Sequence, residues 1–108
     1  MKVKRIINSV FASNTYVLTE EYSDECWVVD IGDIEPVLEY VADRKVRGLF
    51  ITHTHYDHIY GINKLVAYFP DCVVYTSEKG KEGLFSDRLN FSRYHADPII
   101  FQGEHLQI

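Results

Sequence analysis

Positive charge is scarce: 11 lysines and arginines stand against 16 aspartates and glutamates. The resulting formal charge of -5 and pI near 5.4 exclude a surface that gathers nucleic-acid phosphates by long-range attraction. A bound cation would add local positive charge, so an anionic small molecule stays within reach. Long hydrophobic runs are also missing, and no segment approaches the roughly 20 apolar residues that a membrane helix needs. Residues 1–5 have the basic character of a signal-peptide start, but Asn8, Ser9, Ser13 and Asn14 interrupt the apolar stretch beyond them, so the segment reads as a first strand and the cytoplasm is the expected location. The only cysteines, Cys26 and Cys72, lie far apart in apolar runs, which predicts buried free thiols rather than a disulfide. There is no repeat, low-complexity tract or clear linker.

What remains is an ordinary globular composition, with 46% hydrophobic and 25% charged residues in 108. A chain of this length can bury roughly two-thirds of its unfolded surface, enough for one core, and residues 1–108 are expected to form a single domain. Residues 3–7, 15–19 and 26–31 predict three strands of a meander, separated by the polar stretch 20–25. Gly32-Asp33 predicts a helix start, with Pro36 in the first turn and Ile34, Val37, Leu38 and Val41 at helical spacing.

Gly48 closes the basic stretch 44–47 and opens a short strand over 49–52. Ile59, Ile62, Leu65, Val66 and Phe69 mark a second amphipathic helix ending at Pro70. Residues 72–76 predict a strand, Ser77 caps a helix through Phe85, residues 86–98 read as loop, and 99–101 with 106–108 predict a closing hairpin around Gly103-Glu104. The order indicates an α/β fold with a mixed sheet, antiparallel early and parallel through the crossovers. Strands such as Cys26-Trp27-Val28-Val29 are apolar at consecutive positions, so both sheet faces want cover, and three short helices can supply only one.

The chemistry concentrates in His53-Thr54-His55-Tyr56-Asp57-His58, which holds three of the five histidines just after a predicted strand. In extended chain, residues two apart point the same way, so His53 and His55 can grip one cation at about 2.0 to 2.1 Å. Asp57 and His58, at the helix entry, offer an oxygen and an imidazole to a second. Nitrogen and carboxylate donors without thiolate suit a catalytic zinc, which keeps a place for water and brings that water's pKa towards neutrality. A helix cap or surface turn is the competing reading; it accounts for one histidine more easily than for three.

These residues carry a resemblance to the metallo-β-lactamase superfamily, and within it to the glyoxalase II-like hydrolases. Thr52 through Gly61 matches the metal motif, Trp27-Val28-Val29-Asp30-Ile31-Gly32 looks like the aspartate motif, and Ser13-Asn14-Thr15-Tyr16 resembles the opening of the second strand. The resemblance implies that His53 and His55 ligate a first metal and Asp57 and His58 a second. It also implies that Asp57 handles the proton of the attacking water, that Asp30 orients ligands from behind, and that Thr52 and Gly61 are structural. One or two zinc ions are implied, with iron or manganese as options.

The family's fold is an αββα sandwich of two similar halves, and its later ligands come from a Pro-Gly-His segment, a bridging aspartate and a final histidine. None of these motifs occurs here; His95 and His105 lie outside the required contexts and read as surface or loop residues. The chain therefore resembles the first half alone. Two arrangements would complete it: a homodimer through the uncovered sheet face, or a longer hydrolase, of which this is a fragment, that supplies the missing C-terminal half. The implied activity is thioester or ester hydrolysis of a small molecule. A non-catalytic metal-binding or interaction module is the alternative, and a ribonuclease Z-like phosphodiesterase is disfavoured by the acidic surface.

Overall fold

The computed structural model describes residues 1–86, 88–90 and 106–107. Six strands form one sheet in chain order: β1 (Lys2–Ile7), β2 (Asn14–Thr19), β3 (Glu25–Val29), β4 (Lys45–Phe50), β5 (Val73–Tyr75) and β6 (Leu106–Gln107). β1 to β3 pair antiparallel, and β3 to β6 pair parallel. Helices α1 (Ile34–Val41), α2 (Ile62–Tyr68) and α3 (Glu78–Leu84) fill the crossovers. This is the expected α/β fold with a mixed sheet. No helix among the described residues is long and apolar enough to cross a membrane.

Several boundaries differ from the sequence reading for identifiable reasons. The third strand stops at Val29, two residues early, because Asp30 turns into the left-handed region at φ 57. The fourth begins at Lys45, inside the basic stretch, where Lys45 and buried Val46 pair with β3 and exposed Arg47 falls at a register shift. It ends at Phe50, before the expected Thr52, whose N–H donates to the Asp30 carboxylate instead of the sheet. The helix expected from Ile59 begins at Ile62 instead, and a 3-10 turn, Tyr56–His58, stands before it. Ser77 caps α3 as expected, its hydroxyl accepting from the Gly80 N–H at 3.0 Å. Leu106–Gln107 is a strand, parallel to β5; residues 91–98, the 99–101 arm of the hairpin, its turn, His95 and His105 lie outside the described residues.

The core lies on one side of the sheet. Val17, Val28, Leu49 and Val74 point from the strands towards Ile34 and Val37 of α1 and Ile62 and Leu65 of α2, all at most 5% exposed. Burying each such side chain contributes about 1.5–3 kcal/mol, which offsets the ordering of these short helices. Both cysteines are buried free thiols, pushed up to about 11 chiefly by burial.

On the opposite face the register sets Val3, Leu18 and Trp27 in one row and Tyr16, Val29, Phe50 and Tyr75 in the next. Val3, Phe50 and Tyr75 are exposed, and the Phe50 and Tyr75 rings stack at 4.9 Å. A Cβ at Gly48 would come within 3.0 Å of Trp27 Cδ1 and 3.1 Å of Tyr75 Cε2. Glycine there lets the two rings lie close over the backbone. Among the described residues, this apolar face carries no helix.

Candidate metal centre

The site is built where parallel neighbours β3 and β4 end together, with Val29 opposite Phe50. Loops that leave the C-terminal ends of parallel strands are the usual place for ligand chemistry in such sheets. Asp30 is the residue after β3 and is 4% exposed. Aspartate tolerates the left-handed turn better than most side chains. Its N–H donates to the Phe50 carbonyl at 2.9 Å, which holds it beside the chain leaving β4. The carboxylate then accepts from the Thr52 N–H at 2.8 Å, from the Thr52 hydroxyl and from His58 Nδ1 at 2.8 Å.

A carboxylate only accepts, so His58 carries a proton on Nδ1, and Nε2 is the nitrogen that the neutral ring can offer to a cation. Nε2 lies 3.4 Å from Asp57 Oδ2. The loop itself turns tightly: the His58 N–H donates to the His55 carbonyl at 2.9 Å, and the His58 carbonyl accepts from the Ile31 N–H at 2.9 Å. The Tyr56 and Tyr60 rings stack 5.3 Å apart across this turn. Gly61 has to be glycine, because a Cβ would sit 2.2 Å from the Gly32 carbonyl oxygen.

The turn gathers the imidazoles. The His53 ring lies 4.0 Å from that of His58 and 5.0 Å from that of His55. One donor atom from each of Asp30, His53 and His58 falls within 4.8 Å of the others. His53 is held below the usual histidine range, by partial burial first and then by the neighbouring His58 ring. A neutral imidazole is the form that binds a metal. Asp30, His53 and His58 could hold a nitrogen- and oxygen-ligated cation; His55 and Asp57 lie outside that group, beside His53 and His58 respectively. Both Asp30 oxygens are engaged by Thr52 and His58, which suits it to orienting a ligand.

Beside the histidines is a cavity of about 370 Å³ whose lining includes His53, His55, Ser77, Lys79 and Leu89. This is room for a small molecule. α3 closes against the loop at Gly83, where a Cβ would lie 2.0 Å from Thr54 Oγ1.

The sequence reading assigned no task in the site to Asn8 or Ser13. Ser13 donates its hydroxyl to the Asp57 carbonyl at 2.6 Å, and Asn8 donates to Ser13 at 3.3 Å. Small polar residues interrupting a β-branched strand pattern were the available signal. Thr52, read only as structural, also lies with its hydroxyl 3.1 Å from His53 Nδ1, so it touches both Asp30 and a candidate ligand.

Known proteins share this fold. The chain is 45% identical over 67 residues to the hydroxyacylglutathione hydrolase of Pseudoalteromonas translucida (strain TAC 125), a match covering 58% of this chain and 26% of that enzyme. Among solved structures, the BLEG-1 B3 metallo-beta-lactamase superposes with a TM-score of 0.83 at 26% identity, covering 99% of this chain and 53% of the lactamase. A metallo-beta-lactamase superfamily protein from the archaeon Sulfolobus tokodaii shares the fold, with a TM-score of 0.62 at 20% identity over 97% of this chain and 47% of its own. The chain thus spans about a quarter of the hydrolase and about half of the lactamase. The model of the metallo-beta-lactamase superfamily matches residues 9–107, with the histidine loop and Asp30 inside the match, and the chain belongs to that superfamily.

Proposed function

We propose that this chain provides the metal-binding half of a metal-dependent hydrolase that acts on thioesters or esters, as hydroxyacylglutathione hydrolases do. The observation that carries the reading is the clustering of donor atoms of Asp30, His53 and His58, with the His55 ring beside His53 and Asp57 beside His58, next to an open cavity. His53 and His55 would hold one ion and Asp57 and His58 a second, with Asp30 fixing the His58 ring through Nδ1. Zinc fits this donor set, and iron or manganese would also fit. Bound there, the metal supplies Lewis acidity and brings the pKa of water towards neutrality. The Asp57 carboxylate takes up the proton of the attacking water. The cavity beside His53 and His55 holds the small-molecule substrate.

Four ligands shared between two ions leave each underprovided, so the site is completed by groups from outside these residues. We assign that role to a second copy packed on the face of half-buried Trp27 and exposed Phe50 and Tyr75, which carries no helix among the described residues. Light scattering is expected to return twice the chain mass; a stable single-chain mass contradicts the dimer. The same shortage of ligands favours one other reading, a metal-binding module without turnover.

Metal content measured together with thioester hydrolysis separates the two. Bound zinc with turnover lost in Asp57→Ala supports the hydrolase. Zinc without turnover in the assembled protein supports the module, and a chain that retains no metal refutes both.

A further inference from the structure

Residues 8–13, which connect β1 to β2, form a closed loop. The Asn8 N–H donates to the Ser13 carbonyl at 2.7 Å, and Phe11 and Ala12 both occupy the left-handed region, at φ 55 and 51. Backbone held in that region by residues other than glycine persists only where its surroundings define it closely. Here the surroundings are a buried polar network. Asn8 is 3% exposed and Ser13 6%. Asn8 Oδ1 accepts from the Asp33 N–H at 3.0 Å, and Nδ2 donates to Thr15 Oγ1 at 3.0 Å and to Ser13 Oγ at 3.3 Å. The amide is boxed in by Gly32, where a Cβ would meet Asn8 Cγ at 2.4 Å.

Since Ser13 Oγ receives the Asn8 donor on a lone pair, its own proton is directed outward, to the Asp57 carbonyl at 2.6 Å. That carbonyl belongs to the planar peptide unit joining Asp57 to His58. The bond ties that peptide unit to the loop between β1 and β2, and with it the two flanking Cα atoms from which the Asp57 and His58 side chains leave. One hydrogen bond therefore bears on the placement of both groups.

We propose that Ser13, held by Asn8, is a positioning residue for the metal loop, acting through the Asp57 carbonyl to aim Asp57 and His58 at a shared cation. The inference rests on the proposed metal reading of the loop. It assigns a metal-tuning task to a strand-connecting loop that contributes no ligand.

The test is a cobalt(II) titration of the purified protein followed by visible absorption. Ser13→Ala is expected to bind about tenfold more weakly, the loss typical of residues that orient ligands, and to shift the ligand-field bands. Ser13→Thr, which keeps the hydroxyl, is expected to restore both. Asn8→Asp, which keeps the shape but loses the two N–H donors, should weaken binding in the same way. Ser9→Ala, which removes hydroxyl contacts to Asp33 and Tyr60 but leaves the Asn8–Ser13–Asp57 chain in place, should leave binding unchanged. Wild-type affinity and spectrum in Ser13→Ala and Asn8→Asp overturn the inference alone. Unfolding of both variants overturns it as well, by assigning the pair a structural role. Failure of the wild-type chain to bind cobalt overturns the metal reading and this inference with it.

Discussion

Replacing Asp30 by asparagine tests how the site is wired, because the change preserves shape and alters only donors and acceptors. Asp30 Oδ1 accepts from the Thr52 N–H, while Oδ2 accepts from the Thr52 hydroxyl and His58 Nδ1. In Asp30→Asn, an oxygen kept opposite the Thr52 N–H puts an NH₂ opposite Thr52 Oγ1 and His58 Nδ1. The threonine hydroxyl can turn to accept. His58 can do so only by moving its proton from Nδ1 to Nε2, the nitrogen that faces Asp57 at 3.4 Å.

Exchanging hydrogen bonds to a charged acceptor, about 1.5–3 kcal/mol each, for neutral ones of about 0.5–1.5 kcal/mol loses about 1–1.5 kcal/mol per bond, or about 3–4.5 kcal/mol over the three. For a domain of this size, each kcal/mol lowers Tm by roughly 4–8 °C. Zinc affinity is expected to fall about 10- to 100-fold, because the Nε2 lone pair is now protonated. Imidazole 15N NMR of the metal-free protein reads the tautomer directly. The expected pattern is Nδ1–H in wild type and Nε2–H in the variant. An unchanged tautomer together with unchanged zinc affinity would refute the assignment of Asp30 as the group that orients His58.

Gly83→Ala should cost about 1–3 kcal/mol by overpacking, since its Cβ would meet Thr54 between His53 and His55, and the added Thr54→Gly change should recover most of the loss in thermal melts. Cys26 and Cys72, with thiols pushed up to about 11 chiefly by burial, should resist Ellman's reagent in the folded protein and react fully in denaturant; rapid native labelling would contradict their burial. His53 is held below the usual histidine range, so between its folded value and about 6.5 the unfolded chain binds more protons and stability rises with pH. Melts of the metal-free protein should therefore show Tm falling as pH drops below about 6.5, with a shallower slope in His53→Gln; identical slopes would contradict the shift.

Much of the fold was legible because its signals are local. The runs at Cys26 and Cys72, the spacing of Ile62 and Leu65, and the Ser77 cap each specify an element within a few residues. Boundaries were harder wherever a tertiary contact decides them. Strand β3 ends because Asp30 turns left-handed to reach Thr52 and His58, and β4 starts early because Lys45 and Val46 pair with Glu25 and Cys26 of β3 while the Lys45 charge stays in water.

Clustering of His53, His55, Asp57 and His58 made the candidate site visible, since four donor-bearing residues in six need no long-range information. Asn8 and Ser13 could not be found that way. They act across 44 residues of chain, through a carbonyl that looks the same in every sequence. The uncovered face was readable from consecutive apolar residues, but its stacking of Phe50 on Tyr75 and of Trp27 over Gly48 depends on the register between strands.

Zinc K-edge X-ray absorption of the zinc-loaded protein tests the assignment of the histidine loop as the metal site most directly. The expected first shell is nitrogen and oxygen alone at about 2.0–2.1 Å, with the scattering pattern of several imidazoles, abolished in the His53→Ala, His55→Ala double variant. A sulfur shell near 2.3 Å, which would place the metal at the buried cysteines, or a preparation that retains no zinc, would contradict it.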